Sequence, residues 1–368
     1  MRLLIAADIF PPESGGPATY AVTLANELVK QNDDVVIVSL NPKSDIKAIQ
    51  CPVLAVKSNF KPLRYWQYYC LLKQCGRDVD VIYAMGPVNA GLPAWCAARK
   101  LGKKFIVKVV GDYAWEQGVA RFAVEDLIDD FQKKHNYGFW VESLRWVEKM
   151  VAKKADSVIV PCKYLARMVE NWGVNDERIK VIYNEVKYNV AEPIKHDNEK
   201  WLVTVGRLMP WKGMGVLIQV ISNLSKQFPE SRWKLKIIGD GPEMDKMKKK
   251  VLDNNLIDVV DLVGNLSNDK TLTYIASADV FILNSAYEGL SHVIVEAHNQ
   301  GVPVIASDAG GNPEIVGSEN LFEYNNKEEI EEKILQNSLA GRLKSMPHRF
   351  STHMINDTRI ILGKLCAN

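Results

Sequence analysis

The chain has 368 residues, of which 47% are apolar and 24% are charged, as in an ordinary soluble globular protein. Single hydrophobic cores stop growing below this length, so two domains are expected. The formal net charge of +2 is too small to require a nucleic-acid partner, and we predict none.

Short apolar runs alternate with amphipathic segments from one end of the chain to the other. Six runs in the first half predict strands at residues 2–7, 34–40, 80–84, 104–110, 156–161 and 179–183. Five runs in the second half predict strands at 201–206, 235–239, 258–264, 279–284 and 303–307. Helical segments between them include 17–31, 63–76, 212–227, 241–254 and 291–300. Apolar strands that alternate with helices are typical of parallel sheets covered on both faces.

The alternation of strands and helices is interrupted at residues 184–200, a polar stretch without hydrophobic period. We therefore predict an α/β protein with two doubly wound Rossmann-like domains, residues 1–188 and 189–345, whose sheets face each other across a cleft. Residues 346–368 predict a C-terminal helix that packs back toward the N-terminal domain. Ligands of such sheets bind outside the carboxyl ends of the strands.

Cysteine usage and the N-terminus indicate the compartment. The six cysteines form no CxxC pair and no metal-binding spacing, which fits a reducing cytosol. The N-terminal stretch MRLLIAADIF predicts a buried strand rather than a signal peptide, because its apolar run ends at Asp8. No stretch approaches the roughly 18 apolar residues of a membrane span. We expect a cytoplasmic protein, and contact with the inner face of the membrane stays open.

The loop after the first predicted strand, DIFPPESGGPATY at residues 8–20, contains Gly15 and Gly16. Glycines let the backbone approach a ligand closely, and Pro17 suits the first turn of a helix. The pattern is not GxGxxG, and no acidic residue stands at the position expected for a ribose contact. A nicotinamide site is therefore disfavoured. Glycines in a tight turn are also compatible with no function.

A second loop, in VGRLMPWKGMGVLI at residues 205–218, carries two cations after a predicted strand. Arg207 and Lys212 stand between Gly206 and the start of a helix. Cations at a strand end beside a helix N-terminus are suited to a phosphate or diphosphate. A solvated surface loop is the alternative.

A third loop, in the stretch NSAYEGLSHVIVEAHNQGVPVIASDAGGNPEIV at 284–316, carries Glu288 with Gly289 beside it. Glu296 lies eight positions later inside a helix that begins near Ser291, among apolar residues where a free carboxylate is unfavourable. The two carboxylates can contact different parts of one ligand at that helix N-terminus, where backbone N–H groups attract an anion. The alternative is a surface charge and a satisfied helix carboxylate.

Together these motifs resemble those of the retaining nucleotide-sugar glycosyltransferases of family 4, which have the GT-B fold. The resemblance spans nearly the whole chain. It is carried by the stretches FPPESGGPATYAVTLANEL, VGRLMPWKG and IIGDGPEMDKM, and above all by Glu288 and Glu296 followed by GVPVIASDAGGNPEIV.

The resemblance implies a role for each matching residue. Arg207 and Lys212 would bind the donor diphosphate and stabilise the charge on the leaving nucleotide, and Glu288 would contact the donor sugar. Glu296 would accept the two ribose hydroxyls. The remaining donor-binding positions that it implies are Gly15, Gly16, Gly206, Gly239, Val263, Gly264, Asn265, Leu266, Gly289, Leu290, Ser291 and His292.

One position departs from the family pattern. Many relatives have a histidine after the strand that corresponds to 104–110, whereas this chain reads VVGDYAWEQG at 109–118. Asp112 stands at or next to that position. As a carboxylate it is a candidate catalytic group that accepts a sugar hydroxyl, stabilises positive charge or deprotonates the acceptor. Its alternative is to cap a turn.

No metal site is predicted. The DVD sequence at 78–80 resembles the metal-binding DxD of other glycosyltransferases, but it stands where a turn leads into a buried strand. With Arg207 and Lys212 present, a divalent ion is not needed to neutralise a diphosphate. The implied co-substrate is a nucleoside-diphosphate sugar, such as a UDP-sugar or a GDP-sugar, without a further cofactor.

Two segments, 59–73 and 131–154, mix aromatic and basic residues. The second contains an apolar stripe, formed by Trp140, Leu144, Val147 and Val151, and a row of cations at four-residue spacing, formed by Arg145, Lys149 and Lys153. One interpretation is that the apolar stripe packs on the core and the opposite, basic surface of the helix faces solvent. The other is an interfacial helix that contacts anionic lipid, where a lipid-linked acceptor would be found.

The function expected from the resemblance is a retaining, metal-independent transfer of a sugar to an acceptor hydroxyl in glycan, polysaccharide or glycolipid assembly. The acceptor would be a saccharide or a lipid-linked molecule. The alternatives are a GT-B nucleotide-sugar epimerase or hydrolase, and a non-catalytic nucleotide-sugar-binding protein. The sequence leaves the base, the sugar, the acceptor and the linkage open.

Overall fold

The computed structural model describes residues 1–12, 16–42, 49–185, 189–196, 198–340 and 353–366. Within them, the chain divides into two compact units. The first contains Met1–Val124, Phe131–Glu185 and Phe350–Asn368, and the second contains Glu125–Asp130 and Val186–Arg349. No described helix is both long enough and apolar enough to cross a bilayer.

Each unit is built on a parallel sheet. The first sheet consists of β1 (Arg2–Ala7), β2 (Asp34–Ser39), β3 (Val53–Ala55), β4 (Val81–Ala84), β5 (Lys104–Lys108), β6 (Ser157–Val160) and β7 (Ile179–Val181). The second consists of β8 (Lys200–Val205), β9 (Trp233–Ile238), β10 (Val260–Gly264), β11 (Val280–Leu283), β12 (Val304–Ser307) and β13 (Leu321–Phe322). The strand orders are β3-β2-β1-β4-β5-β6-β7 and β10-β9-β8-β11-β12-β13. The predicted class of two doubly wound α/β domains is confirmed.

The helices that connect these strands cover the sheet faces. Those between the strands of the first sheet are α1 (Gly16–Lys30), α2 (Lys61–Cys75), α3 (Gly91–Leu101), α4 (Tyr113–Arg121), α5 (Ile128–Lys133), α6 (Phe139–Lys154) and α7 (Lys163–Asn171). Those that follow in the chain are α8 (Met214–Gln227), α9 (Met244–Asp253), α10 (Asn268–Ser277), α11 (His292–Asn299), α12 (Lys327–Ala340) and α13 (Met354–Cys366). The buried apolar side chains of strands and helices form one core in each unit.

The C-terminal helix α13 packs on the first unit. It contacts α1, and its Met354 and Leu362 belong to the core of that unit. The hydroxyl of Thr358 lies 3.2 Å from that of Tyr20, and Arg359 Nε donates to Asp33 at 2.7 Å. Because Asp33 also accepts from the Met1 ammonium group at 3.1 Å, this one buried carboxylate holds both Met1 and α13.

The orientation of α6 differs from the sequence-based stripe. Trp140 is 66% exposed, whereas Arg145 is 3% exposed. Arg145 is drawn inward because its guanidinium donates to the carbonyls of Phe131 and Lys134 and lies over the Phe131 ring. The interpretation of a core-facing apolar stripe with a solvent-facing basic surface therefore holds at Val151, which is buried, but is wrong for Trp140 and Arg145, because acceptors from the preceding segment draw the guanidinium inward.

Candidate functional site

Three glycines lie side by side where strands of the second sheet end. The Gly206 N–H donates to Ile238 at 3.0 Å, and the Gly239 N–H donates to Gly264 at 2.8 Å. A Cβ on Gly239 would lie 2.0 Å from the Gly206 carbonyl oxygen, whereas a Cβ on Gly206 would have no neighbour within 4 Å. Gly239 therefore allows close strand packing, and Gly206 leaves open space at the edge of the sheet.

The loop with the two predicted cations follows β8. Arg207 is exposed, and a short 3-10 turn, Pro210–Lys212, leads to Gly213 with φ of 54°. The Asn284 side chain donates to the Gly213 carbonyl at 3.0 Å, and a Cβ on Gly213 would lie 2.3 Å from that amide. Asn284 follows β11, so it holds the Lys212 loop against the neighbouring strand end.

Glu288 lies on the loop between β11 and α11, and backbone contacts fix this loop on two sides. The Ala286 N–H donates to the Trp211 carbonyl at 2.8 Å, next to Lys212. The Gly311 N–H donates to the Glu288 carbonyl at 2.9 Å, and Gly310 has φ of 60°. A Cβ on Gly310 would lie 2.0 Å from that same oxygen. The loop after β12 can therefore approach the Glu288 backbone only because residue 310 is a glycine.

Lys212 and Glu288 form an ion pair between Nζ and Oε1. Their side chains are 15% and 14% exposed, so the pair is shielded but still reached by solvent. The structure thus brings together two residues that are 76 positions apart, because β8 and β11 are adjacent strands. An anion that binds Lys212 competes with the Glu288 carboxylate, and it frees that carboxylate to accept hydroxyl groups.

Glu296 is a half-buried carboxylate on α11, one turn after the helix begins. Within the described part of the chain, no side chain or backbone N–H donates to this carboxylate, and burial raises its pKa from 4.5 to about 7. Side chains on a helix lean toward its N-terminus, so the carboxylate leans toward the loop that carries Glu288. A shielded acceptor without a donor is suited to a ligand that supplies hydroxyl groups.

Most of the other predicted donor contacts lie on the same unit as Glu296. Ser291 is the N-cap of α11 and makes no side-chain cap bond, and Leu290 is buried beside it. His292 is the first residue of that helix. A register irregularity at the end of β10 accompanies Gly264, which has φ of 79°. The residues predicted beside the base there are half-buried Val263 and Leu266 and exposed Asn265.

Two predicted residues belong to the glycine loop of the first unit. Gly15 lies outside the described residues, and Gly16 is the exposed first residue of α1.

Asp112 is also in the first unit, where it is the N-cap of α4 and 1% exposed. It accepts a hydrogen bond of 2.7 Å from the Trp115 N–H and another from the Gln132 amide. Glu148 accepts hydrogen bonds from the first two N–H groups of α4, those of Tyr113 at 2.9 Å and Ala114 at 3.2 Å. Burial raises the pKa of Asp112, and both of its oxygens are occupied within the unit. Its capping role therefore has a physical basis, and its catalytic role stays a prediction.

The DVD sequence has a structural explanation. Asp80 accepts from the Arg2 N–H at 2.8 Å and from the Arg2 guanidinium at 3.0 Å, which ties the start of β1 to that of β4. Elsewhere in the ranges that the structure describes, no three His, Cys, Asp or Glu side chains form a group able to hold a metal ion.

Supporting residues of the site were not predicted from the sequence as functional. Asn284 also donates to Asn325 at 2.9 Å, and the Ser285 N–H donates to the Ser307 hydroxyl at 3.0 Å. The first bond ties the end of β11 to the segment after β13, and the second joins the ends of β11 and β12. The available signal was the position of each polar residue directly after a buried strand.

Comparisons with known proteins identify the family of this chain. A family model described as Glycosyltransferase Family 4 matches residues 14–188, and one described as Glycosyl transferases group 1 matches residues 188–352. The chain is 25% identical over 364 residues to an uncharacterized glycosyltransferase of Methanocaldococcus jannaschii, covering 91% of this chain and 89% of that protein. It is 26% identical over 330 residues to the amylovoran biosynthesis glycosyltransferase AmsD of Erwinia amylovora, covering 85% and 82%.

A crystal structure of HepE from Anabaena in complex with UDP and glucose has the same fold. Its TM-score is 0.76 at 20% identity, and the match covers 99% of both chains.

Proposed function

Because the chain belongs to the family 4-like glycosyltransferases of the GT-B fold, we propose that it transfers a sugar from a nucleoside diphosphate to an acceptor hydroxyl. The transfer retains the anomeric configuration and needs no metal ion. The observation that carries this proposal is the Lys212–Glu288 pair at the adjacent ends of β8 and β11. It combines a cation for phosphate with a carboxylate for sugar hydroxyls.

Lys212 and Arg207 hold the diphosphate. Lys212 exchanges the Glu288 carboxylate for a phosphate oxygen, and the exposed Arg207 guanidinium adds a second cation from the same loop. As the bond from the sugar to the phosphate breaks, negative charge grows on the leaving diphosphate. Fixed cations at that position stabilise the transition state more than the bound donor, which lowers the barrier. They also supply the charge that a metal ion provides elsewhere.

The carboxylates hold the two sugars of the donor. Glu288, released from Lys212, accepts hydroxyls of the sugar to be transferred, and Gly310 and Gly311 fix its backbone. Glu296 accepts the two ribose hydroxyls, which supply the hydrogen bonds that its shielded carboxylate lacks within the described chain. The base lies near Gly239 and Gly264 and is bound mainly by the main chain.

The reaction exchanges one bond at the anomeric carbon for another on the same face. The carbon–oxygen bond to the diphosphate breaks, and its electron pair leaves with the nucleotide. The acceptor oxygen forms the new bond, and its proton passes to a donor phosphate oxygen. No second nucleophile is required, and this route keeps the anomeric configuration.

The proposed setting is glycan, polysaccharide or glycolipid assembly in the cytoplasm. A relative takes part in amylovoran biosynthesis, and another protein of this fold binds UDP and glucose. UDP-sugars are therefore the first donors to test, followed by GDP-sugars. The acceptor is a saccharide or a lipid-linked molecule, and a lipid-linked acceptor would bring the enzyme to the inner face of the membrane.

Incubation with labelled nucleotide sugars and a set of sugar acceptors, in the presence of a chelator, tests the proposal. We expect an acceptor-dependent labelled product whose anomeric configuration, read by proton NMR, matches that of the donor. An inverted product, or a strict requirement for a divalent ion, would contradict the mechanism. Donor turnover that no acceptor increases would indicate a hydrolase or an epimerase instead.

A further inference from the structure

We propose that the outer surface of α2, α3 and α6 binds an anionic lipid membrane. The aromatic surface, as we define it, consists of Phe60, Leu63, Trp66, Phe139, Trp140 and Trp146. These side chains are 69%, 43%, 63%, 76%, 66% and 66% exposed, respectively. Exposed apolar side chains in such a group mark an interaction surface.

The three helices lie on one face of the first sheet. The strand order requires the connections from β3 to β4, β4 to β5 and β5 to β6 to run in one direction, and right-handed crossovers place them on the same side. Packing agrees, because α3 contacts both α2 and α6. The two groups of exposed side chains therefore belong to one helix layer, and α1 covers the opposite face.

Both groups lie toward the same end of the sheet. Phe60 is the N-cap of α2, and Phe139 is the first residue of α6. Helices that connect parallel strands begin near the carboxyl ends of those strands. Two hydrogen bonds link α2 to the start of α4, which packs on α6: Tyr65 donates to Asn89 at 2.7 Å, and Asn89 donates to Tyr113 at 3.0 Å. The aromatic surface is therefore anchored to the end of the sheet where ligands of such folds bind.

Tryptophan placement distinguishes this layer from the rest of the molecule. Of the nine tryptophans in the sequence, three are exposed, and all three lie on α2 or α6. Tryptophan combines a large apolar ring with an N–H donor and is enriched at the boundary between lipid and water. A helix surface that faced only water would carry polar residues at these positions.

Charge on the layer favours an anionic partner. Residues 57–77 contain five Lys or Arg and no Asp or Glu, and residues 81–111 contain five Lys or Arg and no Asp or Glu. On α6, both acids have partners within the unit: Glu148 is buried against α4, and the half-buried Glu142 pairs with Arg145. The outward side of α6 ends with exposed Lys153 and Lys154.

Several of these cations lie beside aromatic rings. Arg64 lies 5.9 Å from the centre of the Tyr65 ring, and Arg99 lies 5.7 Å from that of Trp95. Long basic side chains that run along apolar groups and end in charge suit a surface where lipid tails meet phosphate headgroups. A nucleic acid would not require exposed apolar side chains, and the net charge of +2 is small for a nucleic-acid binder.

Sedimentation with phosphatidylcholine vesicles, with and without phosphatidylglycerol, tests the surface. We expect binding to the anionic vesicles and little to the neutral ones. The variant Trp66→Ser/Trp146→Ser should bind about tenfold more weakly for each ring removed, since each ring loses apolar area that leaves water. The variant Lys61→Glu/Lys100→Glu should bind about thirtyfold more weakly or worse.

Matched controls come from the second unit. Leu252→Ser/Ile257→Ser removes two side chains that are 58% and 61% exposed, and Lys226→Glu/Lys249→Glu reverses two exposed charges there. Both controls should bind vesicles like the parent protein. Quenching of tryptophan fluorescence by brominated lipid should be strong in the parent and weak in the Trp66→Ser/Trp146→Ser variant.

Three outcomes would overturn the proposal. They are unchanged vesicle binding by the surface variants, equal loss in the controls, and no vesicle binding combined with tight binding to an RNA homopolymer or to a second copy of the chain. Donor binding, measured by calorimetry without vesicles, should be the same in the surface variants as in the parent. Failure of donor binding in the parent would therefore contradict the proposed function and leave this inference standing.

Discussion

Asp112 caps the start of one helix and Glu296 lies within another. Burial raises the pKa of both carboxylates, yet their surroundings differ. Asp112, in the first unit, is the cap of α4 and accepts hydrogen bonds from the Trp115 N–H and the Gln132 amide. Glu296, in the second unit, receives no hydrogen bond from the described part of the chain. Burial alone therefore does not separate a carboxylate that the fold supplies with hydrogen-bond donors from one that it leaves without them.

The two carboxylates differ in whether the fold supplies them with hydrogen-bond donors. A buried carboxylate that the fold satisfies stabilises its own helix end, and its removal should affect folding. A shielded carboxylate that the fold leaves unsatisfied destabilises the folded state, and it becomes favourable only when a ligand supplies the missing hydrogen bonds. Lys212 and Glu288 represent an intermediate case, because they satisfy each other and, in the proposed mechanism, separate when a diphosphate binds.

Replacing Lys212 with methionine should have the largest effect on activity. We expect kcat/KM to fall about 10²- to 10³-fold, as when one fixed group that stabilises leaving-group charge is removed. Steady-state rates with the best donor measure this loss. Lys226→Met, which removes an exposed lysine near the end of α8, is the matched control and should act like the parent. An equal fall in both variants would contradict the role of Lys212.

Replacing Asp112 with alanine should lower the free energy of unfolding by about 2 to 3 kcal/mol, because α4 loses its cap and Gln132 loses its acceptor. Asp112→Asn, which still accepts from the Trp115 N–H, should recover most of that stability. If Asp112 only caps the helix, Asp112→Asn keeps kcat/KM within about threefold of the parent. A loss of about 10²-fold in a stably folded Asp112→Asn protein would instead establish the catalytic role predicted from the sequence.

Replacing Glu296 with glutamine should stabilise the protein without ligand. The pKa is higher in the folded state than the ordinary 4.5, so the folded state binds more protons between 4.5 and about 7. Stability therefore falls as pH rises through this window, and the full penalty is present above it. At about pH 8 the variant should be more stable by about 1 to 2 kcal/mol, after allowance for residual solvent exposure.

Urea unfolding of the parent and Glu296→Gln at about pH 4 and pH 8 measures this difference. The two proteins should agree at the lower pH and separate at the higher pH. A variant that is less stable than the parent at pH 8 would show that Glu296 is satisfied within the fold.

Replacing Gly206 with alanine should have the smallest effect. No atom lies within 4 Å of the added Cβ, so the thermal midpoint should change by less than about 2 °C. If a donor approaches this backbone, KM for the donor should rise several-fold while kcat changes little. Gly310→Ala is the contrasting variant, because its Cβ meets the Glu288 backbone and its φ is positive. It should lose stability, and an unstable Gly206→Ala protein would refute the open space at this position.

The sequence was sufficient for most of the sheet architecture. Continuous apolar runs predicted eleven strands, and each has a counterpart in the structure. The two strands that it missed, β3 and β13, have three and two residues, too few for a hydrophobic period to appear. Parallel pairing followed from the alternation with helices, whereas the adjacency of β8 and β11 depends on the order in which the chain crosses the sheet.

Side-chain partners were less predictable than strand positions. The residues Lys212, Glu288 and Glu296 could be selected from the sequence, but the partners of their side chains could not be predicted from it. The ion pair arises from adjacent strand ends, and the missing donors at Glu296 depend on the packing around α11. The burial of Arg145 could not be predicted for the same reason. The carbonyl groups that bind its guanidinium come from the segment before α6.

In the proposed function, Glu296 binds the ribose hydroxyls of a donor whose diphosphate is held by Lys212. Isothermal titration with a nucleoside diphosphate and its 2′,3′-dideoxy counterpart, on the parent and on Glu296→Gln, tests it most directly. We predict that loss of the hydroxyls weakens binding to the parent about tenfold or more, and binding to Glu296→Gln by less than about twofold. An equal loss in both proteins would contradict the account.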